Sequence, residues 1–154
     1  MKKQEMNSFI ILKDIKKEDM VDVLTIRNDD STREHLENNA QFTLEEGNEW
    51  YDKTQPKWKM ISVQNNIGYY PNIGYVRTDD NIIGVDIHPL FRRQGIAKKA
   101  YKEMLPTKKD WQLWVFENNQ AVKLYEDLGF YYSGNQGERR NKLYLHMRYK
   151  NPIR

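Results

Sequence analysis

The segment Val85-Asp86-Ile87-His88-Pro89-Leu90-Phe91-Arg92-Arg93-Gln94-Gly95-Ile96-Ala97 constrains the fold more than any other part of the chain. Val85 and Ile87 alternate with polar residues, the period of a strand with one buried face. Pro89 cannot donate to a ladder and stops that strand. Two arginines and a glycine follow, and Ile96, Ala100 and Met104 then recur at helical spacing. The chain passes from a strand through a basic turn into the first turn of a helix. The leading N–H groups of a helix lack partners and carry the positive end of its dipole. Gly95 has no Cβ, so a ligand can approach the backbone closely. Arg92 and Arg93 add mobile positive charge beside it. Such a turn suits a phosphate or pyrophosphate. The same residues would also serve an ordinary strand-to-helix turn with solvated arginines.

The rest of the chain reads as one domain, 1–154, around a single core. Hydrophobic residues make up 38%, enough for a packed interior despite 31% charged residues. A net charge of +3 is too mild to argue for nucleic acid or a membrane, and neither is expected as a partner. The absence of cysteine excludes disulfides, thiolate metal sites and a cysteine nucleophile, and no metal is expected. No apolar run approaches the ~20 residues of a membrane span. The start, Met1-Lys2-Lys3-Gln4-Glu5, lacks the apolar core of a signal peptide, so a soluble cytoplasmic protein is expected.

Residues 1–7 are polar and expected to fray. Strands are expected at 9–12, 58–63, 73–78 and 82–88, the last three forming an antiparallel meander that 69–72 leads into. A helix over 17–27 ends at Asn28-Asp29-Asp30. Ser31-x-x-Glu34 and Thr43-x-x-Glu46 each fit a capping box, and Trp50 and Tyr51 would end the second short helix, which Gly47 weakens. The helix after Gly95 runs to about Leu105, where Pro106 stops it. A strand over 111–116 follows and, reached by a helical crossover, lies parallel to the one ending at His88. Asn118 or Asn119 caps a helix with Ala121, Leu124, Tyr125 and Leu128 on one side, closed by Gly129. Strands at 130–133 and 143–149 enclose a polar turn. The order describes a mixed α/β layer fold.

Two motifs carry a resemblance. Arg92-x-x-Gly95-x-Ala97 matches the R/Q-x-x-G-x-G/A signature of the GNAT superfamily, the acetyl-CoA-dependent N-acyltransferases. Asn118-x-x-Ala121-x-x-x-Tyr125-x-x-x-Gly129-Phe130 resembles that family's second block with its spacing intact. The recognisable match spans about 73–132. The resemblance implies a largely antiparallel mixed sheet of about seven strands with helices on both faces. It implies acetyl-CoA as co-substrate, with its pyrophosphate on Arg92, Arg93 and the backbone of Gln94, Gly95, Ile96 and Ala97. Lys98, Lys99 and Lys123 either meet the adenosine phosphate or are solvated helix faces. The strand Val85–Ile87 would pair through its backbone with the pantetheine arm, as an added strand does, and Asn118 would hold that arm. Tyr125 would protonate the leaving sulfur, which suits a phenol that keeps its proton at neutral pH. Asp86 is the first candidate for general base and Glu117 the second.

The acceptor is poorly specified. A primary amine on a small molecule such as an amino sugar is the first reading, and a protein or peptide amine the second. A small basic nucleic-acid-binding domain using Arg92, Arg93 and the aromatics is the reading from another class. Arg27-Asn28, Arg33 and Trp50-Tyr51 loosely resemble GNAT members acting on amino sugars, ribosomal-protein N-termini or aminoglycosides. Scaffold arginines and core aromatics account for them equally. The sequence leaves room for a homodimer.

Overall fold

The computed structural model describes residues 8–150. The expected fraying of residues 1–7 lies outside that range. One seven-stranded sheet runs through the molecule in the order β1-β2-β3-β4-β5-β7-β6. Its strands are β1 (Phe9–Asp14), β2 (Lys59–Gln64), β3 (Tyr69–Asp79), β4 (Ile82–Ile87), β5 (Gln112–Phe116), β6 (Phe130–Arg139) and β7 (Lys142–Tyr149). Every neighbouring pair is antiparallel except β4 and β5. Those two are parallel and register at the single pair Ile82–Gln112. Beyond that point they part and leave a gap between their C-terminal ends.

Among the described residues the α-helices are α1 (Met20–Arg27), α2 (Asp30–Arg33), α3 (Leu44–Thr54), α4 (Ile96–Met104) and α5 (Ala121–Leu128). The single core expected from length is split by the sheet. On one face Ile61, Val76, Ile83 and Ile87 meet Ile96, Ala100, Tyr101 and Met104 of α4, with Val122 and Tyr125 of α5 packed alongside. On the other, Met60 and Tyr75 meet Met20, Val23 and Leu24 of α1, flanked by Trp50 and Trp58. Fully burying one such aliphatic side chain stabilises by about 1.5–3 kcal/mol, so both faces contribute heavily. Gly47, which weakened the expectation for α3, is where that helix touches α1: an added Cβ would stand 2.7 Å from Leu24 Cδ1. None of the described helices is long and apolar enough to cross a membrane.

Thr43 and Glu46 form the capping box the sequence implied, but α3 continues past Tyr51 to Thr54. The box read at Ser31 does not form. Asp29 caps α2 by accepting from Ser31 N at 3.0 Å, which places Ser31 inside the helix. Residues 69–72 belong to β3. Asn72 takes φ 52° and its N–H donates to Ser62 Oγ at 3.1 Å, so the turn chemistry is absorbed as a break in register against β2. The polar turn between the closing strands is likewise shorter than expected. β6 runs on to Arg139 through a register shift between Tyr132 and Gln136, and Arg140 and Asn141 make the turn with positive φ.

Candidate active site

The turn at the end of β4 is shaped by His88, whose Nδ1 accepts from Leu90 N at 3.1 Å and caps a short 3-10 turn over Pro89–Phe91. Arg93 and Gly95 then both adopt left-handed backbone, φ 61° and φ 76°. Alternating hands of this kind turn successive N–H groups toward one concave side, an anion-binding nest at a helix start. An ideal Cβ on Gly95 meets nothing within 4 Å, so the approach to this backbone is open. Arg93, Gln94 and Lys98 are exposed around it, Ile96 is buried at the first position of α4 and Ala97 is half-buried.

Arg92 is not the mobile charge expected. Its Nε donates to Ile87 O at 3.0 Å, Nη1 to Ser31 Oγ at 2.6 Å and Nη2 to Thr32 Oγ1 at 2.8 Å. The guanidinium fork ties α2 to the end of β4, a geometry that planar Arg provides and Lys would not. Lys99 also turns away from the nest, donating to Ser8 O at 2.7 Å. Lys123 stays exposed on α5.

Where β4 and β5 part, a cavity of about 170 Å³ opens. Val85, Asp86 and Ile87 form one wall, Trp114 and Val115 the opposite one, and Tyr125 reaches it from α5. Ser31, Thr32 and Arg92 close the side beneath α2. Asp86 is held by Arg77, whose Nε lies 2.9 Å from Oδ2. The two face each other because β3 and β4 register Tyr75 with Asp86 and Arg77 with Gly84. Gly84 leaves the space that the guanidinium fills, since an added Cβ would lie 2.6 Å from Arg77 Cζ. Burial works against the charge on Arg77, yet the Asp86 carboxylate, its hydrogen bond and the phenols of Tyr75 and Tyr101 together more than offset it and hold the guanidinium protonated.

Tyr125 shares an edge-to-face contact and a 3.3 Å hydroxyl pair with Tyr101 of α4. Burial pushes the Tyr125 phenol above its ordinary range, so it keeps its proton at neutral pH. Gln120, not Asn118 or Asn119, stands at the N-cap of α5, while Asn119 Oδ1 just before it accepts from Ala121 N at 2.9 Å. That leaves Asn118 exposed beside Glu117, which is also exposed, at the end of β5. Asp86 and Tyr125 therefore line one cavity, whereas Glu117 is not among its lining residues. Among the described residues no cluster of His, Asp or Glu could hold a metal. Arg77, Tyr101 and Trp114 escaped the sequence reading. Tyr101 did lie in the stripe with Ala100 and Met104, but nothing there named its partner.

The chain matches the model of the acetyltransferase (GNAT) domain over residues 11–151, nearly its whole length. It belongs to the GNAT acetyltransferase family. Solved GNAT-like structures share the fold at low identity. The spermidine N-acetyltransferase of Vibrio cholerae, in complex with CoA and spermine, superposes with a TM-score of 0.73 at 19% identity, covering 90% of this chain and 94% of that one. The yncA protein of Salmonella typhimurium with its cofactor acetyl-CoA gives 0.67 at 17% identity, over 94% and 95%. The ribosomal-protein-alanine N-acetyltransferase of Brucella melitensis gives 0.68 at 16% identity, over 92% and 99%. No curated protein matches the chain significantly. As a GNAT acetyltransferase the chain is an enzyme, and its seven-stranded, largely antiparallel mixed sheet with helices is the architecture that the resemblance implied.

Proposed function

We propose that this GNAT enzyme moves the acetyl group of acetyl-CoA directly to a primary amine on a small molecule, acting in the cytoplasm. The observation that carries this is the pairing of an open Gly95 nest with a cavity in the β4–β5 gap lined by both Asp86 and Tyr125. Backbone N–H groups of Gln94, Gly95, Ile96 and Ala97 hold the diphosphate, with Arg93 and Lys98 adding charge. Arg92 contributes by fixing the loop rather than by touching the phosphates. Val85 and Ile87 offer backbone groups to the pantetheine arm, and Asn118 its side-chain amide. The co-substrate supplies an acetyl thioester at the end of that arm.

Asp86 takes the proton of the incoming amine on Oδ1, while Arg77 occupies Oδ2 and fixes the carboxylate plane. Glu117, outside the cavity, is the reserve base acting through water. As the C–N bond forms and the C–S bond breaks, Tyr125 gives its proton to the departing sulfur. Holding both reactants in one cleft supplies much of the rate. The cavity's small size favours an amine on a short flexible arm, and the spermidine enzyme among the structural neighbours is consistent with such an acceptor.

The test is thiol release from acetyl-CoA across spermidine, glucosamine and a short peptide with a free N-terminus. Turnover of spermidine or glucosamine above the peptide supports the reading, and preference for the peptide overturns the small-molecule part of it. Tyr125→Phe lowers kcat by about 100-fold with donor binding kept. Gly95→Glu abolishes detectable acetyl-CoA binding in calorimetry, because a carboxylate enters the nest. Unchanged affinity there would remove the nest from the site.

A further inference from the structure

Tyr101 is 1% exposed, and the one hydrogen bond of its side chain among the described residues is to the Tyr125 hydroxyl at 3.3 Å. The rings meet edge to face with centroids 5.5 Å apart. Two phenols can share such a contact with either one donating. Burial decides between them. A buried O–H without an acceptor costs about 1–3 kcal/mol. If Tyr125 donated, the Tyr101 proton would have no other acceptor within hydrogen-bond distance among the described residues, since its ring is buried beside Phe130 and the Tyr125 hydroxyl is its one side-chain partner. If Tyr101 donates, the Tyr125 proton is left to the cavity that Tyr125 lines.

We propose that Tyr101 is a positioning residue that donates to the Tyr125 oxygen and thereby aims the Tyr125 proton into the β4–β5 gap. This rests on the reading of Tyr125 as the acid. When Tyr125 gives its proton to the departing sulfur, its oxygen becomes a phenolate already facing the Tyr101 O–H. A hydrogen bond to an ionised acceptor is roughly twice as strong as a neutral one, so the contact tightens as the C–S bond breaks. Tyr101 keeps its own proton throughout, because burial holds its phenol well above the usual range. The charged or titratable groups facing Tyr125 are Tyr101 from α4, Arg77 from β3 and Asp86 from β4. Phe130 of β6 and Trp114 and Val115 of β5 bring no charge to it.

Tyr101→Phe keeps the ring contact and removes only the donor. With tyrosine 13C-labelled at Cζ, the Tyr125 resonance is assigned by its loss in Tyr125→Phe and followed through alkaline pH. In Tyr101→Phe its titration moves upward by about half a unit or more, since a donor to the charged form has gone. A merely structural role for Tyr101 would not raise it. With the amine turned over fastest in the panel above, Tyr101→Phe lowers kcat by about 10-fold. It leaves KM for acetyl-CoA within about two-fold, and adds no further loss to Tyr125→Phe. An unmoved Tyr125 titration overturns the proposal, as do additive losses in the double variant. If the fold melts before Tyr125 titrates, the kinetic cycle decides. Full turnover in Tyr125→Phe would instead remove the acid assignment, leaving the titration to judge the hydrogen bond alone.

Discussion

Gly84 and Gly74 stand on opposite sides of the sheet, and what lies above each differs in one physical respect. Above Gly84 is the end of a side chain, the Arg77 guanidinium. In Gly84→Ala that group can swing away, so the fold survives, but Asp86 loses the partner that fixes its plane. We expect kcat to fall by about 10-fold while the thermal midpoint drops by only a few degrees. Parallel melting curves and initial rates check this, and a change in midpoint with full kcat would detach Arg77 from the chemistry. The sequence could not disclose this pair. Asp86 was legible as a polar position on a strand, but Arg77 is nine residues away and becomes its partner only through the β3–β4 register. The contact of Tyr101 with Tyr125 was hidden for the same reason: helical spacing tells which face a residue occupies and leaves open which residue answers from another helix.

At the level of elements, β3 supplies Arg77 and packs its Gly74 closely against the main chain of β4. A Cβ on Gly74 would lie 2.8 Å from the backbone oxygen of Asp86 and 2.7 Å from Ile87 Cδ1. Main chain cannot swing aside, so Gly74→Ala forces β3 and β4 apart. The expected loss is about 1–3 kcal/mol in urea unfolding, larger than that of Gly84→Ala. Most elements were legible because alternation and capping are local signals. Thr43 and Glu46 announce α3, and Gly129, with φ 108°, ends α5 as a left-handed cap. The failures share a cause. Pro71-Asn72 and the Gly134 region carry turn residues that the sheet accommodates as irregularities, Asn72 by donating to Asp19 and Asp22 of the neighbouring helical segment. Ser31 lost the capping role to Asp29 because only one residue can stand at the first N–H groups of so short a helix.

For the molecule as a whole, acid sensitivity is set in part by a buried histidine whose ring packs against Trp114. His146 is buried between Ser133 Oγ and Gln112 Oε1, each 2.7 Å from a ring nitrogen. Burial, aided by Arg148, pushes its pKa below the ordinary 6.5. The unfolded chain therefore takes up a proton at His146 that the native one refuses. Its contribution is fully present above the ordinary value and is lost as pH falls toward and through the lowered one. Urea midpoints should decline between about pH 7 and pH 5, and His146→Gln should flatten that decline. An equal slope in the variant would assign it to other groups. The carboxylates held below their usual range, Asp14 by Lys59 and Asp29 by Ser31, act only in stronger acid. The lone bridge between Ile82 and Gln112 has a mechanical meaning at this scale. Within the sheet, strands β1–β4 and β5–β7 are two plates joined at one ladder pair and backed by the shared core beneath α4, and whatever lies along the seam beyond that pair becomes part of the framework. A guest that bonds to both edges would make the halves move as one body, so that affinity for the guest and rigidity of the host rise and fall together.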